Sequence, residues 1–316
     1  MTTRRLAHLR AALAIGASVA ALAPALAQTA PNAVTPLTPS SSGGEVLVFG
    51  VNDSGQAVGK EFLDSGGTGA VAWFGTSPWK NLNVEASEAA AYGISNDGSV
   101  IAGDFNGDGV FRMARRPNGT FGFFALPTFS GASYSSTKLS RDLEGVFVGG
   151  APLSSDGSTI VGSSITATYE RHAFRCVGEC RTLQDLGVIG GSGLPAARSA
   201  SGSSSALGVN ADGTVVTGIS TTPPDGEGWQ RLHGFYWTQA GGMQDLGTLT
   251  GERGYSMGKA LSADGSVVAG QSMATNGEYH ATLWTRSGTG FKATDIGPDG
   301  YTSSANAISA SGAIVV

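Results

Sequence analysis

A repeated Asp-Gly pair between short apolar runs is the feature that most constrains the fold of this chain. It occurs four times in full and twice in variants that keep the glycine, at residues 97–98, 156–157, 212–213, 264–265, 53–55 and 311–312. Asp-Gly between β-branched runs predicts a β-hairpin with a type I′ turn, which needs positive φ at both central residues. The spacing of about 50 residues therefore indicates a chain built from repeated hairpins.

A second repeated piece lies between these hairpins and predicts two further strands in each unit. Its clearest copy runs from His233 through Trp237 to Gly247, with a Gly-Gly turn in the middle. Related copies begin at Gly69, Gly109, His172 and His280. Two hairpins per unit make four strands in about 50 residues, which is the size of a propeller blade. The sequence thus predicts an all-β, β-propeller-like array.

The way the hairpins are paired sets the expected number of blades. Pairing each second-type hairpin with the Asp-Gly hairpin that follows it gives five units over residues 69–316 and leaves residues 45–59 unpaired. In a closed propeller, a lone N-terminal hairpin completes a blade begun at the C-terminus. The chain stops at Val316, where other copies place a closing glycine. We therefore expect residues 45–316 to form about five and a half blades of a longer protein, truncated at its C-terminus, with about six to eight blades in the ring.

The composition fits such a fold and excludes one class of partner. Glycine contributes 49 of the 316 residues and charged residues only 14%, which favours short strands and tight turns over long surface helices. Apolar and aromatic residues make up 41%, enough for a sizeable core. The net charge of −5 argues against a nucleic-acid partner, which requires a basic face.

The first 27 residues have the layout of a bacterial secretory signal peptide. Arg4, Arg5 and Arg10 form a cationic region, an Ala/Leu-rich stretch follows, and residues 25–27 form an Ala-Leu-Ala cleavage site. The apolar stretch is shorter than the ~20 residues of a membrane span, and no other stretch of the chain could cross as a helix. Residues 28–44, rich in proline and serine, predict a flexible linker.

At the repeated residues the chain resembles the HAF family of probable extracellular repeats, named after the His-Ala-Phe that stands here at residues 172–174. The family pattern is matched almost in full by residues 233–249 and 262–270, and the resemblance covers about 45–316. It implies a β-propeller-like repeat in a secreted bacterial protein, sometimes followed by an autotransporter domain. The resemblance supplies no established activity.

Cys176 and Cys180 are the only cysteines, and they flank a turn that places the thiols opposite each other. In an exported chain they predict a local disulfide. The small loop limits its entropic effect, so the bridge should staple one blade rather than the whole fold. Zinc binding is disfavoured, because His172 is the one additional ligand nearby.

Two sets of repeated polar residues invite a metal-binding hypothesis. His172, His233 and His280 share one position in successive units, and Asp185, Asp245 and Asp295 share another. Equivalent positions in neighbouring blades are spread around a ring, so a structural role at the strand start is the favoured interpretation for the histidines. For the aspartates, stabilisation of a turn is favoured over a cation on the central channel.

Residues 104–109, Asp-Phe-Asn-Gly-Asp-Gly, match the beginning of a calcium-binding loop, with Asp104, Asn106 and Asp108 as candidate ligands. Oxygen atoms from alternate residues converge on calcium in such loops. However, Arg112 and Arg115 stand where later ligands are expected, so a plain Asn/Gly/Asp loop is the alternative.

No nucleophile elbow, metalloprotease helix or phosphate-binding glycine loop is present, so the sequence predicts no catalytic residue and no cofactor. Trp79 and Trp229 fall outside the repeated positions, and exposed aromatic faces of this kind can stack on sugars. The sequence therefore predicts an exported, non-enzymatic module for binding or surface display. The chain would be extracellular or on the outer-membrane surface, with the periplasm as the alternative, and its partner an extracellular protein or a glycan. A carbohydrate-active or carbohydrate-binding propeller and a structural spacer are the alternatives.

Overall fold

The computed structural model describes residues 45–64, 66–74, 80–82, 84, 88–106, 109–129, 135–136, 152–167, 170–190 and 202–316. The predicted signal peptide and linker lie outside these residues. The described part of the chain consists of β-strands joined by turns, as the repeat predicts. Within it, no helix is long and apolar enough to cross a bilayer.

The strands form five four-stranded antiparallel sheets, which we number in chain order. Sheet 1 contains β1 (Val46–Val51), β2 (Ala57–Leu63), β3 (Gly67–Trp73) and β4 (Lys80–Asn81). Sheet 2 contains β5 (Ala89–Ile94), β6 (Val100–Phe105), β7 (Gly109–Arg115) and β8 (Phe121–Ala125). Sheet 3 contains β9 (Ser135–Ser136), β10 (Thr159–Ile165), β11 (Arg171–Val177) and β12 (Gln184–Asp185). Sheet 4 contains β13 (Ser204–Val209), β14 (Val215–Thr221), β15 (Leu232–Thr238) and β16 (Gly242–Asp245). Sheet 5 contains β17 (Ser256–Leu261), β18 (Val267–Met273), β19 (Tyr279–Ser287) and β20 (Gly290–Asp295).

The sheets are grouped differently from the sequence-based pairing of hairpins. In each sheet the Asp-Gly hairpin is joined to the second-type hairpin that follows it, and in sheet 3 the short strand β9 precedes both. In sheet 1, for example, β2 pairs directly with β3, and Ala57 lies opposite Trp73. The prediction of an unpaired N-terminal hairpin is therefore wrong. The unpaired hairpin lies at residues 305–316, where Ile308 bridges to Val315.

The Asp-Gly turns are hairpin turns, but not of type I′. In sheet 2, Ser95 N–H bonds to Val100 O at 2.9 Å and Gly98 N–H to Ser95 O at 2.9 Å. Gly98 has a φ of 67°, whereas the φ of Asp97 is not positive. The aspartate instead accepts hydrogen bonds from Ser95 Oγ at 2.6 Å and from Ser99 N–H at 2.9 Å, and these bonds lower its pKa. The type I′ prediction is wrong because this turn, with four residues between Ser95 and Val100, needs positive φ only at its glycine.

Hydrogen bonds between successive Asp-Gly turns hold the sheets side by side in chain order. They join Asn96 N–H to Ser155 O, Asp156 N–H to Ala211 O, Ala211 N–H to Ala263 O and Ala263 N–H to Ala310 O, at 2.8–3.2 Å. Between the sheets lie clusters of buried apolar side chains, such as Phe235, Trp237 and Val216 at the junction of sheets 3 and 4. Four-stranded antiparallel sheets placed side by side around a shared axis are the arrangement of a β-propeller.

Candidate functional site

The repeated histidines and aspartates form the same contact in three sheets. The Nδ1 atoms of His172, His233 and His280 lie 2.8–2.9 Å from carboxylate oxygens of Asp185, Asp245 and Asp295. Each histidine is the second residue of the third strand of its sheet, and each aspartate is the last residue of the fourth. The bond therefore closes the outer hairpin of the sheet across its open end.

The same aspartates also stabilise the turns that follow them. The N–H groups of Gly187, Gly247 and Gly297 donate to Asp185, Asp245 and Asp295 at 2.7–2.9 Å. This is the turn-stabilising contact that the sequence favours for these aspartates. Among the described residues, no group of three or more His, Cys, Asp and Glu side chains is placed to hold a metal ion.

A serine from the next sheet completes the junctions of sheets 3 and 4. Ser256, on the first strand of sheet 5, accepts a hydrogen bond from Gly234 N–H at 2.9 Å and donates to Gly247 O at 2.7 Å. Ser204 makes the equivalent pair of bonds to Ala173 N–H and Gly187 O. The His-Asp hairpin of one sheet is thereby attached to the innermost strand of the next, which gives the repeated polar residues a structural role.

The two cysteines form the predicted disulfide, between Cys176 at the end of β11 and Cys180 in the turn that follows. Both side chains are buried, and they belong to the apolar cluster that joins sheets 2 and 3. Cys180 has a positive φ of 56°, which closes the tight turn between them. A structural disulfide is typical of proteins that fold in an oxidising compartment, which agrees with an exported protein.

Replacing both cysteines with serine should lower the free energy of unfolding by about 2 kcal/mol, because a short cross-linked loop removes little entropy from the unfolded chain. Chemical denaturation of the wild type and of the Cys176→Ser, Cys180→Ser double variant measures this difference. Wild-type protein treated with a reductant is the matched control and should show a similar loss. A double variant that no longer folds would mean that the bridge supports more than sheet 3.

The calcium motif is only partly within the described residues. Asp104 lies inside strand β6 and is 1% exposed. Its carboxylate accepts a hydrogen bond from the Tyr92 hydroxyl. Burial raises the pKa of Tyr92, and the charge of Asp104 and this hydrogen bond raise it further. Asn106 has a positive φ of 50° and donates its N–H to Glu88 O, and Asp108 lies outside the described residues. Calcium binding at these three residues stays a prediction.

Trp229 is the predicted stacking residue that the structure describes, and it lies on the loop between β14 and β15. It is 62% exposed, which is high for so large an aromatic side chain. The base of the loop is closed by Thr222 N–H bonding to Arg231 O and by Arg231 N–H bonding to Thr222 Oγ1. The other candidate, Trp79, lies outside the described residues.

One aspartate organises the tip of this loop. The carboxylate of Asp225 accepts hydrogen bonds from Trp229 N–H at 2.9 Å and Glu227 N–H at 3.0 Å, and Arg231 contacts it at 3.4 Å. The Asp225 N–H in turn bonds to Trp229 O at 2.9 Å. The bond from Trp229 N–H, together with the other bonds to this carboxylate, lowers the pKa of Asp225. The backbone on both sides of the exposed indole is therefore fixed.

An ion pair connects the loop to the neighbouring connection between sheets 4 and 5. Arg253 donates to Glu227 at 2.5 Å. Because the strands of sheet 4 run antiparallel in sequence order, this loop and this connection lie at the end of the sheet opposite to its Asp-Gly turn. No clear signal in the sequence predicts this arrangement beyond the position of Trp229 outside the repeat.

A cavity of about 230 Å³ lies where the innermost strands of all units meet. Its walls include one residue of equivalent repeat position from each sheet and from the last hairpin: Val51, Ile94, Leu153, Val209, Leu261 and Ile308. We call it the axial cavity. It is smaller than the roughly 300–1,000 Å³ of typical small-molecule sites.

A buried lysine lies beside the axial cavity. Lys259 is 3% exposed and donates to Ser304 Oγ at 2.7 Å and to Asn306 Oδ1 at 3.0 Å, and Asn306 lines the cavity. Burial lowers the pKa of Lys259 to about 8. No pattern in the repeat marks this lysine, because Lys259 occupies a bulge position that carries Phe49, Tyr92 and Leu207 in other sheets.

No protein-family model and no curated protein matches the chain. Among solved structures, it is similar to TolB from Acinetobacter baumannii, with 15% identity and a TM-score of 0.45 over 79% of this chain and 53% of that one. It is similar to a putative TolB from Agrobacterium tumefaciens, with 15% identity and a TM-score of 0.44 over 66% of this chain and 62% of that one. It is also similar to the β-propeller domain of Myceliophteria thermophila Cps50 (Swd1), with 11% identity and a TM-score of 0.39 over 83% and 76% of the two chains.

The chain thus spans about half to three fifths of the length of the two TolB proteins. At these identities, the sheet topology and the shared axial cavity of the chain itself carry the fold assignment. The chain is an all-β protein of β-propeller-like architecture.

Proposed function

We propose that this chain is an exported, non-enzymatic binding module of the β-propeller type that contacts its partner through the loop between β14 and β15. The observation that carries the proposal is Trp229, a largely exposed indole on a loop whose backbone is fixed by Asp225. The predicted signal peptide and the disulfide support export. The resemblance to HAF repeats supports an extracellular or surface-bound module.

The rigidity of the loop matters because binding is opposed by the ordering of flexible groups. A loop that is already fixed by hydrogen bonds loses little conformational entropy when a partner binds. Tryptophan is also the residue type most enriched among those that dominate interface energies. An exposed tryptophan on a fixed loop therefore has the properties of a binding anchor.

A glycan is the second candidate partner, favoured by the exposed face of Trp229. An indole offers a large apolar surface on which a sugar ring can stack, while the polar groups around it remain in water. Asp225 and Glu227 on the loop and Arg253 beside it supply charged hydrogen-bonding groups. A glycan and an extracellular protein would therefore contact the same residue, Trp229.

The arrangement of the whole protein is part of the proposal. We propose a HAF-type repeat protein in which the five sheets and the hairpin at 305–316 belong to a ring of six to eight blades. The ring would be displayed on the outer membrane as the passenger of an autotransporter, with the periplasm as the alternative location. The intact mass of the natural product in outer-membrane and culture fractions tests this: an anchored, much heavier species supports display, and a released chain ending near Val316 contradicts it.

The Trp229→Ala variant tests the binding function. We expect it to bind its partner at least tenfold more weakly than the wild type, which corresponds to about 1.4 kcal/mol. Both proteins would be immobilised and compared on a glycan array and against purified surface and secreted proteins of the host. Val177→Ala is the matched control, because Val177 is 54% exposed but is the last residue of β11, at the Asp-Gly end of its sheet.

Each outcome of this experiment separates the candidate functions. Loss of a glycan signal in Trp229→Ala supports carbohydrate binding, and loss of a protein signal supports a protein partner. Equal binding by Trp229→Ala and the wild type contradicts the proposed site. Absence of any partner for the wild type favours a structural spacer, and turnover of a polysaccharide would establish an enzyme.

A further inference from the structure

The outermost strand of sheet 2 differs from the outer strands of the other sheets. The outer strands β4, β12, β16 and β20 have the sequences KN, QD, GMQD and GFKATD, each with a charged residue. Strand β8 has the sequence FGFFA and carries no charged residue and no proline. Charged residues on edge strands normally prevent pairing with another chain. Strand β8 lacks this protection.

The backbone of β8 has hydrogen-bonding groups that point away from its sheet. The bonds from Leu126 N–H to Val110 O and from Arg116 N–H to Thr120 O flank the paired region and set its alternation. In an antiparallel pair, every second residue directs its N–H and C=O outward. Phe123 and Ala125 are such residues, and within the described chain no hydrogen bond to their backbone groups is present. At Phe123 and Ala125, the edge of β8 therefore offers backbone groups to a further strand.

The two faces of β8 differ in character. On one face, Phe123 contacts Phe105 and Phe111, with ring centroids 5.6 and 5.8 Å apart, and is still 44% exposed. On the other face, Phe124 is 41% exposed and lies opposite Arg112 on β7. Around Phe123, the first face is therefore apolar.

Arginine side chains line the second face. Besides Arg112, the guanidinium of Arg116 lies over Gly122, where a Cβ atom would come within 2.9 Å of its Nε. Arg115 is exposed and lies opposite Phe121, on the other face of the strand pair. The chain as a whole has a net charge of −5, whereas this face carries two arginines, with Glu179 as the acidic group that acts on Arg112. This face favours acidic side chains on a strand that pairs with β8.

We propose that the edge of β8 binds an extended peptide segment of a partner protein, in which acidic and apolar residues alternate, as a fifth strand of sheet 2. Backbone hydrogen bonds to Phe123 and Ala125 would supply the pairing, and the alternate side chains would supply the specificity. Because side chains alternate between faces, the acidic residues meet Arg112 and Arg116 while the apolar residues extend the surface of Phe123. This proposal is independent of the loop that carries Trp229.

A second copy of the chain fits this edge less well. In an antiparallel pairing of two β8 strands around a twofold axis, the same faces of both sheets lie side by side. The arginines of both copies would then share one face, and like charges across a strand pair are destabilising. The charge of the edge therefore favours an acidic partner.

Fluorescence anisotropy with three labelled hexapeptides tests the proposal on the intact mature chain. The first peptide alternates Glu and Val, the second alternates Lys and Val, and the third has the composition of the first in the order Glu-Glu-Glu-Val-Val-Val. We expect the first to bind at least tenfold more tightly than the other two, with a loss of affinity as the salt concentration rises. Equal binding of the first and third peptides would overturn the proposal, since it would remove the role of alternation.

Two variants locate the binding to β8. Ala125→Pro removes an N–H that points outward and leaves the pairing with β7 intact, so it should weaken the first peptide at least tenfold. Arg116→Glu should weaken the first peptide and strengthen the Lys-Val peptide, and it keeps the test valid if the proline variant does not fold. Lys292→Glu, on the edge of sheet 5, is the control and should bind like the wild type. Light scattering that shows a dimer abolished by Ala125→Pro would assign the edge to a second copy and overturn the acidic-peptide proposal.

Discussion

Replacing Gly218 with alanine is expected to destabilise the protein by about 3 kcal/mol or more, because the added methyl group has no space. Gly218 lies in the middle of β14, and a Cβ atom there would overlap the backbone carbonyl of Ser205 on the neighbouring strand β13. It would also come within 2.7 Å of Cε1 of the Phe235 ring, which is fully buried. Neither group can move without breaking the pairing of β13 with β14 or the packing between sheets 3 and 4.

The comparison with Gly290 separates this effect from the general preference of strands for other residues. Gly290 begins β20, has no atom within 4 Å of the Cβ position, and is not among the glycines with positive φ. Gly290→Ala should therefore leave stability unchanged or raise it slightly. Thermal unfolding followed by circular dichroism measures both variants, and we expect Gly218→Ala to melt roughly 10 °C or more below the wild type. If the two variants melted together, the close packing of strands at Gly218 would be refuted.

The repeated glycines explain why so much of this fold is visible in the sequence. Gly218 and Gly270 both end the second apolar run of an Asp-Gly hairpin, and both lie against the backbone of the preceding strand. Only glycine fits at such a position, so the repeat keeps it while other positions drift. The hairpins, the four strands per unit and the all-β class follow from this pattern without any knowledge of the structure.

The grouping of hairpins into sheets could not be predicted in the same way. A tandem repeat has no marked beginning, so pairing each hairpin with the one before or the one after fits the sequence equally well. The choice depends on tertiary contacts such as that between Ala57 and Trp73, which join β2 to β3. The turn type could not be predicted for a related reason, because the hydrogen bond from Ser95 to Asp97 forms only in the four-residue turn between Ser95 and Val100.

The candidate sites were predictable to different degrees. The disulfide follows from two cysteines four residues apart on either side of a turn. The position of Trp229 outside the repeat suggests exposure, but its fixed loop depends on contacts of Asp225 and Arg253 that no local pattern specifies. The open edge of β8 is a property of the pairing order, since FGFFA would be an ordinary buried strand if it lay inside the sheet.

His233→Ala is expected to have the second large effect, a loss of about 3 kcal/mol in the free energy of unfolding. The His233 residue as a whole is 3% exposed, and its Nδ1 donates to the Asp245 carboxylate at 2.8 Å. A buried hydrogen bond to a charged group contributes about 1.5–3 kcal/mol, and the space left by the ring adds to the loss. His172→Ala should cost less, because the His172 side chain is 15% exposed compared with 4% for His233.

A double-mutant cycle with Asp245→Ala tests whether this bond, and not the packing of the imidazole alone, carries the effect. Asp245 also accepts the Gly247 N–H at 2.7 Å, so its removal loosens the turn that Ser256 attaches to sheet 5. If His233 acts through this carboxylate, the double variant should be more stable than the sum of the single losses predicts, by at least about 1 kcal/mol. Strictly additive losses would show that the histidine serves only to fill space. A coupled pair would establish that the repeated histidine acts by closing its own sheet and joining it to the next.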